Sequence, residues 1–140
     1  MFCFPVPHDK FETGTPWVIV GVAVLDALLL TPVLGAGAQP FLMQYGFTPS
    51  HATLLTFFTG MFLHVGLWHY LGNMLFFWIF GRKVEATLGH LKFGMAFVAC
   101  GVGGQLLYWL LDIHSTVPCV GASGAISGIA GIYFVLFPKD

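Results

Sequence analysis

The stretch Val120-Gly-Ala-Ser-Gly-Ala-Ile-Ser-Gly-Ile-Ala-Gly131 is apolar and contains four glycines. It places the hydroxyl of Ser123 near its start. The segment continues without a charge to Phe137, and residues 120–137 approach the roughly 20 apolar residues that a helix needs to cross a bilayer. Small residues in such a helix favour close contact with a neighbouring helix. The stretch therefore predicts a membrane helix with a hydroxyl near its beginning.

The whole chain is as apolar as this stretch. Of its 140 residues, 57% are hydrophobic and only 8% are charged, a composition that a water-soluble domain of this size does not need. Segments of about the length that spans a bilayer lie at residues 16–34, 62–80, 93–111 and 120–137. We therefore predict an all-α integral membrane protein with four transmembrane helices.

The five basic residues indicate the orientation of these helices. Lys10 precedes the first segment, Lys139 follows the fourth, and the others lie between the second and third: Arg82, Lys83 and Lys92. The connections 35–61 and 112–119 contain no lysine or arginine. By the positive-inside rule both termini are cytoplasmic. We expect residues 1–15 to form a cytoplasmic segment and the protein to reside in the plasma (inner) membrane.

The long outer connection, residues 35–61, is rich in apolar and aromatic side chains and contains no Asp, Glu, Lys or Arg. A solvated linker would not have this composition. We expect an outer, membrane-associated loop made of short amphipathic pieces that lie in the interface.

Polar side chains that could carry chemistry lie toward the outer end of the membrane segments. His69 and Asn73 are four residues apart and share a helix face in the second segment, and His64 lies near its outer end. Ser123 lies at a similar depth in the fourth segment. Hydrolysis by a serine needs a base that takes the hydroxyl proton and donors that stabilise the oxyanion. Asn73, His64 and the Ser123 backbone N–H suit the donor role.

Structural roles are open for each of these residues. A serine in a glycine-rich membrane helix is commonly a packing residue, and His69 with Asn73 could form an interhelical hydrogen-bonding pair. Asp26, near the middle of the first segment, is better explained as a buried hydrogen-bonding partner than as a proton carrier, because no chain of acidic residues continues from it.

Other kinds of site lack support in the sequence. The three cysteines have neither disulfide nor metal-ligand spacing: Cys3, Cys100 and Cys119. No His-Glu-x-x-His motif is present, and His64 and His69 do not form the facing pair that would bind haem. The formal net charge of −1 provides no basic surface for nucleic acid. We therefore predict neither a metal nor a cofactor.

Three motifs follow one another along the chain: His64-Val-Gly-Leu-Trp-His-Tyr-Leu-Gly-Asn73, Phe80-Gly-Arg-Lys-Val-Glu-Ala-Thr-Leu-Gly89 and Gly121-Ala-Ser-Gly124. Together they resemble the conserved core of the rhomboid intramembrane serine proteases. The resemblance covers residues 16–138 in order and spacing. It implies a rhomboid-like helical bundle, with residues 16–140 as a partial rhomboid domain that holds four of six core transmembrane helices.

The resemblance also implies roles for individual residues. Ser123 corresponds to the nucleophile, His64 and Asn73 to the residues that stabilise the oxyanion, and His69 to a supporting residue. Structural roles are expected for three glycines and a carboxylate: Gly121, Gly124, Gly128 and Glu85. Members of this family cleave transmembrane proteins in the lipid bilayer without a metal or cofactor.

The general base of the family matches no residue of this chain. It is a histidine on the sixth helix, and no histidine follows Ser123 here. Lys139 would be roughly 24 Å from Ser123 along a helix, and His114 could approach only through the conformation of its loop. The glycines of the fourth segment, Gly124, Gly128 and Gly131, are expected to form a groove for a helix that this chain does not supply.

Two hypotheses follow. In the first, the chain is the amino-terminal part of a rhomboid serine endopeptidase, inactive alone, whose base and fifth and sixth helices are encoded downstream. In the second, it is a catalytically inactive rhomboid-like protein that binds transmembrane clients. Reaction of Ser123 with a fluorophosphonate probe would favour the first hypothesis.

Overall fold

The computed structural model describes residues 15–35 and 38–139, which are predominantly helical. Within them six α-helices follow one another: α1 (Trp17–Val33), α2 (Ala38–Tyr45), α3 (Leu54–Thr59), α4 (Leu67–Leu88), α5 (His90–Leu111) and α6 (Ser123–Leu136). Short 3-10 turns at Pro49–His51 and Gly60–Phe62 flank α3. The predicted all-α membrane bundle is confirmed. The predicted cytoplasmic segment 1–15 lies, except for Thr15, outside the described residues.

The second predicted segment differs most from the structure. The sequence predicts a helix over residues 62–80, whereas α4 occupies 67–88. Gly66 is extended, with φ 163° and ψ 173°. The α3 segment, which is α3 together with the 3-10 turn that follows it (Leu54–Phe62), meets α4 at an angle of 87°. His64 therefore lies in the bend before the helix. At the other end α4 continues through charged residues to Gly89, whose φ is 79°, because helical hydrogen bonding does not require apolar side chains.

The helices differ in how far they extend across a membrane. α5 has the length and hydropathy of a membrane span by itself, with 22 residues, or about 33 Å. The α3 segment and α4 meet the same criterion together, as a broken span. α1 and α6 are shorter apolar helices of 17 and 14 residues. The fourth segment was predicted to begin at residue 120. In the structure residues 120–122 form a turn and α6 starts at Ser123.

The outer connection 35–61 is tied to the connection between α5 and α6. Phe47 and Cys119 exchange two backbone hydrogen bonds of 3.1 and 2.7 Å in an antiparallel bridge. The N–H of Gly121 donates to the carbonyl of Gly60 at 2.9 Å. The two connections therefore form one layer at the end of the bundle where α6 begins.

Aromatic side chains of α4 and α5 form the centre of the bundle. Phe77 packs on Phe93 and Phe97, with ring centroids 5.8 and 4.9 Å apart, and all three are buried. The surrounding core comes from α1, the turn after α3, α6 and the residue that precedes α6: Ile19, Met61, Ala122, Ala125, Ile126 and Ile129. α6 packs against both α4 and α5, so the packing of these helices determines where its first residue lies.

A buried carboxylate joins three helices at the opposite end of the bundle. Glu85 of α4 accepts hydrogen bonds from the backbone N–H groups of Val18 and Ile19 at 2.9 and 3.2 Å. Its Oε1 lies 2.7 Å from Nδ1 of His90, at the start of α5. The first N–H groups of a helix have no partner within the helix, and the residue before α1 has no side chain that caps it. Glu85 supplies this cap from another helix.

The glycines of α6 contact α5, which corrects the expectation of an unoccupied groove. A Cβ at Gly128 would clash with Cys100. A Cβ at Gly104 would lie 3.2 Å from Cα of Gly124, so the two helix backbones meet directly at this crossing, as small residues permit. Gly131 differs, because nothing lies within 4 Å of a Cβ built there.

Candidate active site

Ser123 is the first residue of α6, and its side chain is exposed. The turn before it contains Gly121, whose φ of 120° is unfavourable for residues with a side chain. The first hydrogen bond at this end of the helix runs from the Ile126 N–H to the Ala122 carbonyl, at 2.9 Å. The N–H groups of residues 123–125 are therefore not used by the helix, and such groups favour a nearby negative charge.

His69 and Asn73 of α4 lie against the same turn. A Cβ built on Gly121 would be 3.1 Å from Nε2 of His69 and 3.6 Å from Nδ2 of Asn73. Asn73 is buried, and its Nδ2 has no hydrogen-bond partner among the described residues. The N–H of Val65 donates a long hydrogen bond, 3.5 Å, to Nδ1 of His69. A neutral imidazole has one N–H, so this arrangement leaves Nε2–H as the donor beside Gly121.

His64 lies behind His69, in the bend between α3 and α4, and is fully buried. Its Nδ1 is 3.9 Å from Oδ2 of Asp26 in α1, which is also fully buried. Its ring packs against the rings of His69 and Tyr70, with centroids 5.0 and 5.6 Å apart. His64 thus contacts Asp26 on one side and His69 on the other.

The structure brings His69 and Asn73 to the turn that carries Ser123, and they supply the three atoms nearest to a Cβ built on Gly121. The roles predicted for the two histidines stay predictions. The geometry favours the reverse division, with His69 as a direct donor and His64 as its support. The sequence could not show which histidine lies nearer to the Ser123 turn. The two are separated by the bend at Gly66, and the periodicity of apolar residues does not reveal such a bend.

The Asp26 side chain and the Val65 backbone N–H also lie in this region, and the sequence analysis gave neither a part in the site. The sequence did contain a sign that Asp26 has a partner, since a carboxylate within a membrane segment is costly. No sequence feature singles out the Val65 N–H, because every residue except proline carries such a group.

A base for Ser123 is not found among residues 15–35 and 38–139. The Ser123 hydroxyl makes no hydrogen bond with any of these residues. His114, in the connection between α5 and α6, has an exposed side chain, and its backbone N–H donates to Oδ1 of Asp112 at 3.2 Å. Among the described residues, the Ser123 hydroxyl therefore has no hydrogen-bonded partner that could act as a base.

The fold and the site together define a class of protein, a helical membrane bundle that presents a serine at a helix N-terminus beside an imidazole and a carboxamide. The family model described as the Rhomboid domain matches residues 51–140, which is more than half of the chain. The chain belongs to the rhomboid family.

Three relatives illustrate how the similarity is distributed. RHOMBOID-like protein 5 of Arabidopsis thaliana is 35% identical over 71 residues, which cover 51% of this chain and 23% of the relative. Rhomboid-like protein 11, chloroplastic, of the same plant is 37% identical over 76 residues, or 54% and 27% of the two chains. Rhomboid protease GluP of Bacillus subtilis is 36% identical over 73 residues, or 52% and 14%.

The chain thus matches only about a quarter, or less, of the length of each of these relatives. No solved structure matches the chain.

Proposed function

We propose that the chain supplies the nucleophile and the oxyanion donors of an intramembrane serine endopeptidase that cleaves transmembrane proteins. Ser123 attacks the scissile carbonyl, and three donors stabilise the oxyanion: Nε2–H of His69, Nδ2–H of Asn73 and the N–H of Ser123. The observation that carries the proposal is the position of His69 and Asn73 against Gly121, two residues before the nucleophile. Membership of the rhomboid family, and the activity named for GluP, support it.

The state of Asn73 favours this role. Its Nδ2 is buried and has no hydrogen-bond partner among the described residues, a condition that costs about 1–3 kcal/mol. An oxyanion that forms beside the amide would offset this cost only as the reaction proceeds. Such an interaction is stronger in the transition state than with the substrate, which is the condition for accelerating the chemical step.

The base is proposed to be a histidine that lies outside α1–α6. No histidine follows Ser123 in the 140 residues, so the base would come from a further helix packed along the side of α6. Gly131, which has free space around it, would permit the close approach of such a helix. Without that helix the chain is expected to show no useful turnover of a transmembrane substrate.

Reaction of the membrane-embedded chain with a fluorophosphonate tests the role of Ser123. Labelling should be slow without a base and should increase with added imidazole, which can accept the hydroxyl proton in place of a histidine. Ser123→Ala should abolish the imidazole-dependent labelling. Ser127→Ala is the matched control, because Ser127 is exposed on the same helix one turn later, and it should label like the wild type.

Two results would contradict the proposal. One is equal imidazole-dependent labelling of the wild type and Ser123→Ala. The other is an adduct that mass spectrometry locates on a residue other than Ser123.

A catalytically inactive rhomboid-like protein that binds transmembrane clients is the second candidate. The observation that favours it is the Ser123 hydroxyl, which has no hydrogen-bonded base in the described part of the chain. The labelling experiment separates the two candidates. If the wild type with imidazole labels no faster than Ser123→Ala, the site lacks catalytic competence and the binding role is favoured.

We further propose that both termini of the chain are cytoplasmic and that the protein resides in the plasma (inner) membrane. In support, the two connections without basic residues share one end of the bundle, whereas Arg82, Lys83 and Lys92 lie around the opposite end. The name of one relative includes "chloroplastic", so an organelle membrane is the alternative. Membrane fractionation of the native protein distinguishes these locations.

A further inference from the structure

Asp26 is a carboxylate in the middle of α1 to which the proposed reaction assigns no role. It is fully buried, and neither of its oxygens has a hydrogen-bond partner among the described residues. The group that it faces is Nδ1 of His64, 3.9 Å from Oδ2, and the nitrogens of His64 are equally without partners there. Burying two such groups is costly unless they interact, and the distance of 3.9 Å between Nδ1 and Oδ2 is within the range of an ion pair.

Asp26 has a defined position relative to α4. The hydroxyl of Tyr70 donates to the carbonyl of Ala23 at 3.0 Å, one turn of α1 before the carboxylate. The ring of Tyr70 also packs edge-on against that of His64. The link between α1 and α4 therefore holds Asp26 beside His64.

His64 connects Asp26 to the proposed oxyanion donor His69 in two ways. The rings of His64 and His69 are in edge contact, with centroids 5.0 Å apart. His64 is also followed by Val65, whose N–H donates to Nδ1 of His69 at 3.5 Å. Holding His64 in place thus fixes the direction of this N–H. The hydrogen bond at one ring nitrogen determines which tautomer is present, and here it favours Nε2–H.

We propose that Asp26 is a positioning residue for His69. Asp26 holds His64, and His64 holds the Val65 N–H and the His69 ring, so that the imidazole keeps Nε2–H directed at the Gly121 turn. Asp26 itself does not touch the substrate. The inference rests on the proposed function for the role of His69 in the reaction, but the arrangement of the two histidines can be measured without any activity.

Nitrogen-15 NMR of the histidine-labelled chain in micelles reports the tautomer of His69. A His69→Gln variant assigns the signals, and the wild type should show Nε2–H. Asp26→Leu removes the hydrogen-bonding group and should produce a mixture of both tautomers. Asp26→Asn keeps an oxygen that can accept a hydrogen bond from His64 and should preserve the wild-type spectrum. Leu28→Ala, on the exposed side of α1, is the control and should also leave it unchanged.

A second variant tests the same link from its other end. His64→Phe keeps an aromatic ring against His69 but cannot interact with Asp26, and it should give the same mixture of tautomers as Asp26→Leu. If Asp26→Leu does not fold, the tautomer of His69 is measured in His64→Phe instead. Thermal unfolding of each variant shows whether the bundle is intact.

Imidazole-dependent labelling of Ser123 provides the functional readout. It should fall roughly tenfold to a hundredfold in Asp26→Leu, as small misplacements of catalytic groups do, and remain near the wild-type rate in Asp26→Asn. An unchanged His69 tautomer in folded Asp26→Leu and His64→Phe would overturn the inference even if Ser123 is labelled normally. A tautomer change in a protein whose wild type is never labelled would support the positioning role and overturn the proposed function instead.

Discussion

Gly121 is the residue on which the site depends most directly. Its φ of 120° is one that side chains disfavour, and a Cβ there would lie 2.8 Å from Cε1 of His69. Glycine is therefore required both by the backbone turn and by the neighbouring imidazole. The position of Ser123, two residues later, follows from this turn.

Gly121→Ala should reduce imidazole-dependent labelling of Ser123 by at least about tenfold, since a slight displacement of the proposed nucleophile or of a proposed oxyanion donor costs one to two orders of magnitude. The backbone strain should also cost about 1–3 kcal/mol of stability. Gly131→Ala, in free space on the same helix, is the control and should label normally. A Gly121→Ala protein with wild-type labelling would show that the turn does not position the site.

At the scale of the elements, two contacts hold the helices in register. Glu85 caps α1 from α4 and contacts the start of α5. At the other end of the bundle α6 crosses α5 at Gly104 and Gly124, backbone against backbone. The first contact orders the end far from the site, and the second sets the distance of α6 from its neighbour.

Glu85→Ala should lower the free energy of unfolding by about 2–3 kcal/mol, because hydrogen bonds to a charged group are worth more than neutral ones. Glu85→Gln, which keeps one acceptor oxygen, should cost less. Thr87→Ala is the matched control, since the one hydrogen bond of its hydroxyl to the described residues goes to the Lys83 carbonyl of its own helix. Chemical unfolding in micelles measures all three variants, and equal losses for Glu85→Ala and Thr87→Ala would argue against the cap.

Gly104→Leu should lower the free energy of unfolding by about 1–3 kcal/mol, as overpacking does, because the added side chain meets the backbone of α6. Gly103 is its matched control: nothing lies within 4 Å of a Cβ built there. Gly103→Leu should be neutral or stabilising by up to about 1 kcal/mol through helix propensity. Similar effects at both positions would contradict the close crossing.

For the molecule as a whole, the two connections that lack basic residues form one layer at the Ser123 end. The bridge between Phe47 and Cys119 joins them, and the basic residues around Gly89 lie at the far end of α4 and α5. Within residues 15–35 and 38–139, basic residues therefore lie at one end of the bundle and not at the other, which is the asymmetry that the positive-inside rule uses.

Cysteine labelling in intact cells tests the proposed orientation. In a background with Cys3, Cys100 and Cys119 replaced by serine, Val117→Cys should react with a membrane-impermeant maleimide. Lys92→Cys should react only after permeabilisation. Both native side chains are exposed, so burial does not account for a difference, and the reverse pattern would invert the orientation.

The sequence by itself determined the class of fold and predicted the residues of the candidate site. Runs of apolar residues predicted the helices, since hydropathy reports directly which segments avoid water, and α5 was placed to within three residues at its start. The spacing of four residues predicted a shared helix face for His69 and Asn73, and Ser123 was selected through the resemblance of Gly121-Ala-Ser-Gly124 to a family motif. The end of α4 was misplaced, because charged residues leave the membrane while the helix continues.

The tertiary structure alone decided which polar groups meet. The bend at Gly66 carries His64 inward to Asp26 and leaves His69 beside Gly121. Two of the three glycines expected to face an absent helix, Gly124 and Gly128, pack on α5 instead. These outcomes depend on angles and distances between segments far apart in the chain. A linear pattern records the periodicity of one element, and it holds no information about how two elements cross.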